Sequence, residues 1–334
     1  MLHDIMNRML TASTTLAARI ERAECDTVLA FAAQLQARGT DVLIHEIGGA
    51  SAVFAGEGQP INKLAGLGFA GGVDEGSLAA LERAFDARSA DLRVELATLA
   101  DPAVGVLLTR RGYELVGYEN VLGLPLGDDI VRGLSREKET DAGRGVSVSR
   151  ATADDTRAWI DTVADGFSHP DRFDGPPPTE SFDRQTIVDV FAASTLAPGM
   201  ALYLARRDGA IAGGGAVRIS NRLAQLAGAA TLPAHRRRGV QSALLRARLF
   251  DAAAQGCDLA IVTTEPASKS QENVQRAGFV LLYARAVLVR RAQPLPVGSS
   301  AVDRLAQGDP LNDAGGGEIV VRTGGEGADG GLGR

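Results

Sequence analysis

Apolar residues along this chain follow two periods, one near 3.6 and one near 2, and the order in which they alternate comes round twice. Between 4 and 38, Ile5, Met9, Leu16, Ile20, Val28, Phe31 and Leu35 recur at helical intervals, which predicts two helices broken near Cys25 and Asp26. Strands are predicted at 39–47, 52–55 and 64–69, with Gly56-Glu-Gly-Gln-Pro60 supplying turn residues. Leu78, Leu81 and Phe85 mark a helix over 77–87. A strand at 92–96 and a short helix at 104–110 follow.

The second half opens with Thr152-x-x-Asp155, a capping-box-like start for a helix carrying Trp159, Val163 and Phe167 on one face. Residues 168–178 are too proline-rich for regular structure, and a further helix turns Ile187, Val190 and Phe191 inward. Strands at 201–205, 210–219 and 222–232 read as a meander, the first two joined by the Asp208-Gly209 turn. Gly213-Gly-Gly215 marks a bulge or a close backbone approach. A helix from Val240 closes at Gly256, and 259–263 is an uninterrupted apolar run suited to a central strand.

The two orders also echo each other residue by residue. Arg110-x-Gly112-Tyr-x-Leu115 matches Arg276-x-Gly278-Phe-x-Leu281, and a Val-Leu pair (Val121-Leu122, Val287-Leu288) lies nine and ten residues beyond each glycine. Upstream, Gly72-Val73 takes the place of Gly239-Val240. Agreement at both ends, with a helix and a strand between, favours duplication of one fold.

Chemistry concentrates at Thr231-Leu-Pro-Ala-His-Arg-Arg-Arg-Gly-Val-Gln-Ser242, the end of a strand, a basic turn and the start of a helix. Such a turn aims unpaired backbone N–H groups at one spot, at the positive end of the helix dipole. Arg236, Arg237 and Arg238 add positive charge around that anion site, and glycine at 239 leaves the main chain open to a phosphate. The first copy has Asp74 and Glu75 at this place, which would repel a diphosphate.

At these residues the chain resembles the GNAT superfamily of acyl-CoA-dependent N-acyltransferases, whose signature Arg/Gln-x-x-Gly-x-Gly/Ala reads here Arg236-Arg-Arg-Gly239-Val-Gln241. Gln241 departs from the pattern. The resemblance implies an α/β (α+β) fold of two GNAT-like domains, each a mixed, mostly antiparallel twisted sheet flanked by helices. It implies cofactor contacts at Thr231, Leu232, Arg236, Arg237, Arg238, Gly239, Val240, Gln241 and Ser242. The helix ending at Gly278-Phe279 resembles the second family motif, with Val274 where many members carry an acidic tyrosine. Asn273 is similar to an asparagine that bonds the CoA arm, and reads equally as a solvent-facing helix residue. Tyr283 is a candidate replacement acid or a core tyrosine. Glu265, beyond the 259–263 strand, is a candidate base or a loop-surface residue, since the 222–232 strand holds no carboxylate.

Length, charge and cysteine usage narrow the setting. At 334 residues the chain is long enough for two domains, and a net charge of −6 argues against a general nucleic-acid binder. Two distant cysteines, Cys25 and Cys257, and four histidines form no metal motif, so no metal is expected. No apolar run spans a bilayer and no secretory leader is evident, so no membrane partner and a cytoplasmic location are expected.

The expected organisation is a degenerate GNAT-like domain over 1–127, a linker over 128–145, a catalytic domain over 146–292 and a disordered glycine-rich tail over 293–334. The expected function is direct transfer of an acetyl group from acetyl-CoA to a primary amine of an unidentified small molecule or peptide. A non-catalytic acyl-CoA sensor or scaffold is the alternative.

Overall fold

The computed structural model describes residues 10–128, 130, 132, 133, 145–170 and 183–293. The glycine-rich tail from 294 on, most of the linker and most of the proline-rich loop lie outside the described residues, as do Ile5 and Met9.

In chain order the first half contains α1 (Thr14–Ala37), β1 (Leu43–Ile47), β2 (Ala50–Phe54), β3 (Lys63–Ala65), α2 (Glu75–Asp86), β4 (Leu92–Ala97), α3 (Pro102–Arg110) and β5 (Glu114–Pro125). The second contains β6 (Val146–Arg150), α4 (Thr156–Ser168), α5 (Arg184–Ser194), β7 (Met200–Arg207), β8 (Ala210–Ser220) and β9 (Leu223–Thr231). A 3-10 turn (Pro233–His235), α6 (Val240–Ala254), β10 (Leu259–Thr264), α7 (Lys269–Arg276) and β11 (Val280–Arg290) complete it.

α1 is one helix, without the break expected near Cys25. Nothing at that point stops it: Cys25 is buried, Arg22 pairs with Asp26 one turn on, and the Thr27 hydroxyl folds back onto the Ala23 carbonyl. Conversely, the strand expected over 64–69 stops at Ala65, because Gly66 and Gly68 take φ of +81° and +91°.

All strands join one mixed sheet in the order β1-β2-β3-β4-β11-β5-β10-β9-β8-β7-β6. Among the described residues only β3–β4 and β9–β10 pair in parallel. One face carries α2, α3, α6 and α7, and α1, α4 and α5 cover the other.

The halves are joined by exchange of their last strands. β5, from the first half, pairs with β10 of the second, and β11, from the second, pairs with β4 of the first. Where they meet, Glu119 faces Arg285, two positions separated by the 166 residues that separate Gly112 from Gly278. The ladder skips Leu282 on β11 and Val116 on β5, again equivalent positions. The duplication thus reaches to the β-bulges, and a pseudo-twofold axis runs through the Glu119–Arg285 pair.

Under α1 this junction is ionic. Arg285 is 1% exposed and meets Glu21 at 2.8 Å and Glu95 at 3.4 Å. Lys63 bridges Glu24 and Glu95, and Tyr283 donates to Glu21 at 2.7 Å.

Candidate functional site

β9 and β10 are hydrogen-bonded only as far as Ile261 opposite Gln225. Beyond that point they part, and the β9 edge from Leu226 to Thr231 has no strand beside it on the β10 side. The cause lies in β9 itself: the β8–β9 register slips between Gly214 and Ala216, and Gly228 takes φ +52°. The glycine run lets three neighbours close on this bulge. A Cβ on Gly213 would stand 2.6 Å from the Ala230 carbonyl, one on Gly214 2.7 Å from Val163, and one on Gly215 3.1 Å from Arg248. Arg248, fully buried on α6, donates to the carbonyls of Leu244, Ala216 and Ala227, and so ties both strands of the bulge to the helix below. Burial brings its guanidinium down to about 10, leaving it charged at neutral pH.

The strand end leads into the basic turn. Leu232 donates its N–H to Ala212 on β8 and its carbonyl accepts from His235, so its backbone is committed inside the protein. Strand alternation therefore aims the backbone of Thr231 at the open edge. Arg236 sends its side chain to the carbonyls of Thr231 and of Gly166 and His169 at the end of α4, and so staples the turn to that helix. Arg237 and Gly239 both lie in the left-handed region, at φ +59° and +83°, which turns the chain sharply into α6. A cavity of about 350 Å³ opens here, lined by Arg207, Arg237, Arg238 and Gly239. Arg207, at the end of β7, has no motif around it, and only tertiary pairing brings it to the turn.

α6 begins without a side-chain cap. The first return bond is Ala243 N–H to the Gly239 carbonyl at 3.0 Å, so the N–H groups of Val240, Gln241 and Ser242 have no helical acceptor. Val240 is buried beneath the turn, Gln241 is half-buried and Ser242 exposed. In the first copy, α2 starts with Asp74, whose carboxylate takes the Ser77 N–H at 2.6 Å and fills the equivalent position.

The remaining expected residues are more dispersed. Asn273 is half-buried on α7, beside Val274 in the core. Glu265 is exposed just past β10. Tyr283 is 5% exposed, with its hydroxyl on Glu21 in the ion cluster. Among the described residues no group of three His, Cys, Asp or Glu side chains is placed to hold a metal, and no helix is long and apolar enough to cross a membrane.

Residues 167–279 match the model of the acetyltransferase (GNAT) family. A GCN5-related N-acetyltransferase from Kribbella flavida superposes with a TM-score of 0.57 at 18% identity, covering 86% of this chain and 98% of its own, a likeness of fold. A GCN5-related N-acetyltransferase from Sphaerobacter thermophilus superposes at 0.48 with 13% identity (73% and 81% covered), and a tandem GNAT protein from the clavulanic acid biosynthesis pathway at 0.49 with 15% (74% and 79%). No curated protein sequence matches the chain. The chain has a GNAT-like fold whose arrangement recurs in its two halves.

Proposed function

We propose that the second copy, over 146–292, binds acetyl-CoA and transfers its acetyl group directly to a primary amine of a small molecule or peptide, and that the first copy, over 1–127, holds no cofactor. The observation that carries this is the uncapped start of α6, where three N–H groups lack a helical acceptor next to a cavity lined by Arg207, Arg237, Arg238 and Gly239. The diphosphate would sit on the amides of 238–242 and the pantetheine arm would pair with the Thr231 edge, with Asn273 along the arm. Direct transfer needs the thioester held against the amine and a proton acceptor within reach, for which Glu265, exposed just past β10, is a candidate. Tyr283 has its hydroxyl engaged by Glu21, so as an acid it would first have to leave that bond. Two free, buried cysteines fit a reducing cytoplasm.

Calorimetry with acetyl-CoA, beside thiol release over a panel of primary amines, tests the reading. Binding with amine-dependent thiol release is the expected result. Binding without it selects the acyl-CoA sensor or scaffold, and absence of binding overturns both.

A further inference from the structure

We infer that the acceptor amine carries a flat apolar body, held on a row of aromatic rings that leads outward from the β9 bulge. The inference rests on the acyl-transfer reading above and names the acceptor class for that site.

The gap between β9 and β10 is open on the face of α1, α4 and α5. Gln225 accepts from Thr27 of α1, so alternation puts Ala227, two places on, on that face as well. Its β8 partner, Ala216, packs with Trp159 of α4 on the same side. Across the gap Thr263 pairs with Val121, which packs under α1. Ala227 and Thr263 are both exposed although helices cover this face, so the gap is reached from here.

The wall of that opening is aromatic. α4 lies directly on the unpaired edge of β9, where a Cβ on Gly166 would stand 2.5 Å from the Cβ of Ala230. One on Gly228 would stand 3.2 Å from Phe191 and 3.4 Å from Trp159, so both rings touch the main chain at the bulge. From there the rings grade outward. Trp159 is fully buried and meets Phe191 edge-on, with centroids 5.4 Å apart. Phe191 is half-buried and meets Phe167 at 5.8 Å. Phe167, the residue after Gly166, is 47% exposed.

The row selects by what it lacks. Its single polar atom, the Trp159 indole N–H, is spent on the Gly215 carbonyl at 3.1 Å. The charged groups on the same two helices are spent on each other: Arg184 pairs with Asp161 and Asp165, and Arg157 pairs with Asp161. A hydroxylated or polycationic body would lose water against these rings and gain no partner. An aromatic body would bury the face of Phe167 and gain ring packing besides. An amine joined to a ring by a short alkyl arm meets both demands, with its nitrogen at the bulge and its ring along the row.

The test uses the full chain and its Phe167→Ala, Phe167→Tyr and Leu196→Ser variants. Leu196, exposed beyond the end of α5, is an apolar control outside the row. Melting temperatures check folding, and calorimetry gives acetyl-CoA affinity. Thiol release from acetyl-CoA is followed with 2-phenylethylamine and with ethanolamine, a primary amine without the ring. The parent should favour 2-phenylethylamine in kcat/KM by about 10²-fold. In Phe167→Ala that preference should fall by about tenfold through a higher KM for the aromatic amine, with acetyl-CoA affinity retained. Phe167→Tyr should keep the preference. A parent indifferent to the ring, a preference unmoved in Phe167→Ala, or its loss in Leu196→Ser instead overturns the inference and leaves acyl transfer standing. Failure of the parent to bind acetyl-CoA, or to release thiol with either amine, overturns it together with the acyl-transfer reading.

Discussion

Asp74 and Gly239 are the N-cap residues of corresponding helices in the two copies, and they leave those helices in opposite states. The Asp74 carboxylate accepts the Ser77 N–H of the helix it begins, while Gly239 has no side chain to cap with and α6 stays open. The same fold thus yields one capped helix start and one open helix start, by a difference of one side chain.

Gly239→Asp should turn the second copy into the state of the first. The carboxylate would cap α6 and stand where the diphosphate is expected, so acetyl-CoA affinity should fall by about two orders of magnitude, about 3 kcal/mol. The left-handed backbone at 239 costs aspartate about 1 kcal/mol, offset in part by the cap, so the fold should survive. Calorimetry and thermal melting check the two halves of this. Asp74→Ala should do the reverse, losing about 1 kcal/mol of stability with affinity unchanged.

Three arginines stand in sequence at the turn, but they should not behave alike. Arg207→Ala, Arg237→Ala and Arg238→Ala should each weaken acetyl-CoA binding by roughly tenfold and flatten its dependence on salt. Arg236→Ala should instead lower the melting temperature, because it frees the turn from the end of α4. Titrations at two ionic strengths and a melting curve for each variant distinguish these outcomes.

Gly213→Ala places a methyl group 2.6 Å from the Ala230 carbonyl and 3.0 Å from Val240. Backbone cannot yield as a side-chain tip does, so β9 must shift at the bulge. A loss of about 1–3 kcal/mol in stability is expected, with weaker acetyl-CoA binding because Thr231 moves too.

The ion cluster should give stability a two-sided dependence on pH. Burial alone would raise Glu24, but Lys63 and Arg285 overrule it and hold it down to about 2. Its contribution is present above the ordinary glutamate range and is lost as pH falls from about 5 towards 2. Glu119 is raised, so its contribution is present below the ordinary range and is lost as pH rises through about 7. Glu119→Gln should therefore match the parent near pH 4 and exceed its stability above pH 8 by on the order of 1–3 kcal/mol, in denaturant melts at both pH values. Arg285→Met should lose about 3–5 kcal/mol, since it strands Glu21 and Glu95 in the interior.

The chain by itself determined what local chemistry can write. Helical spacing placed Leu78, Leu81 and Phe85 on one buried face, Gly256 ended α6 at φ +80°, and the Gly112 and Gly278 motifs announced two copies. The open, basic turn before α6 was legible because its N–H groups, its glycine and its arginines are neighbours in sequence. It did not determine which strand lies beside which. That choice depends on non-local pairing, and β5 and β11 have equivalent sequences, so either could close either half. Tertiary structure settled the exchange, and with it brought Arg207 to the turn, spent Arg236 on α4 and set Glu119 beside Arg93 and Arg285. Charge placed on a strand has no meaning until its neighbours are known, because the same carboxylate is an ordinary surface group beside water and is pushed up when buried beside Glu95.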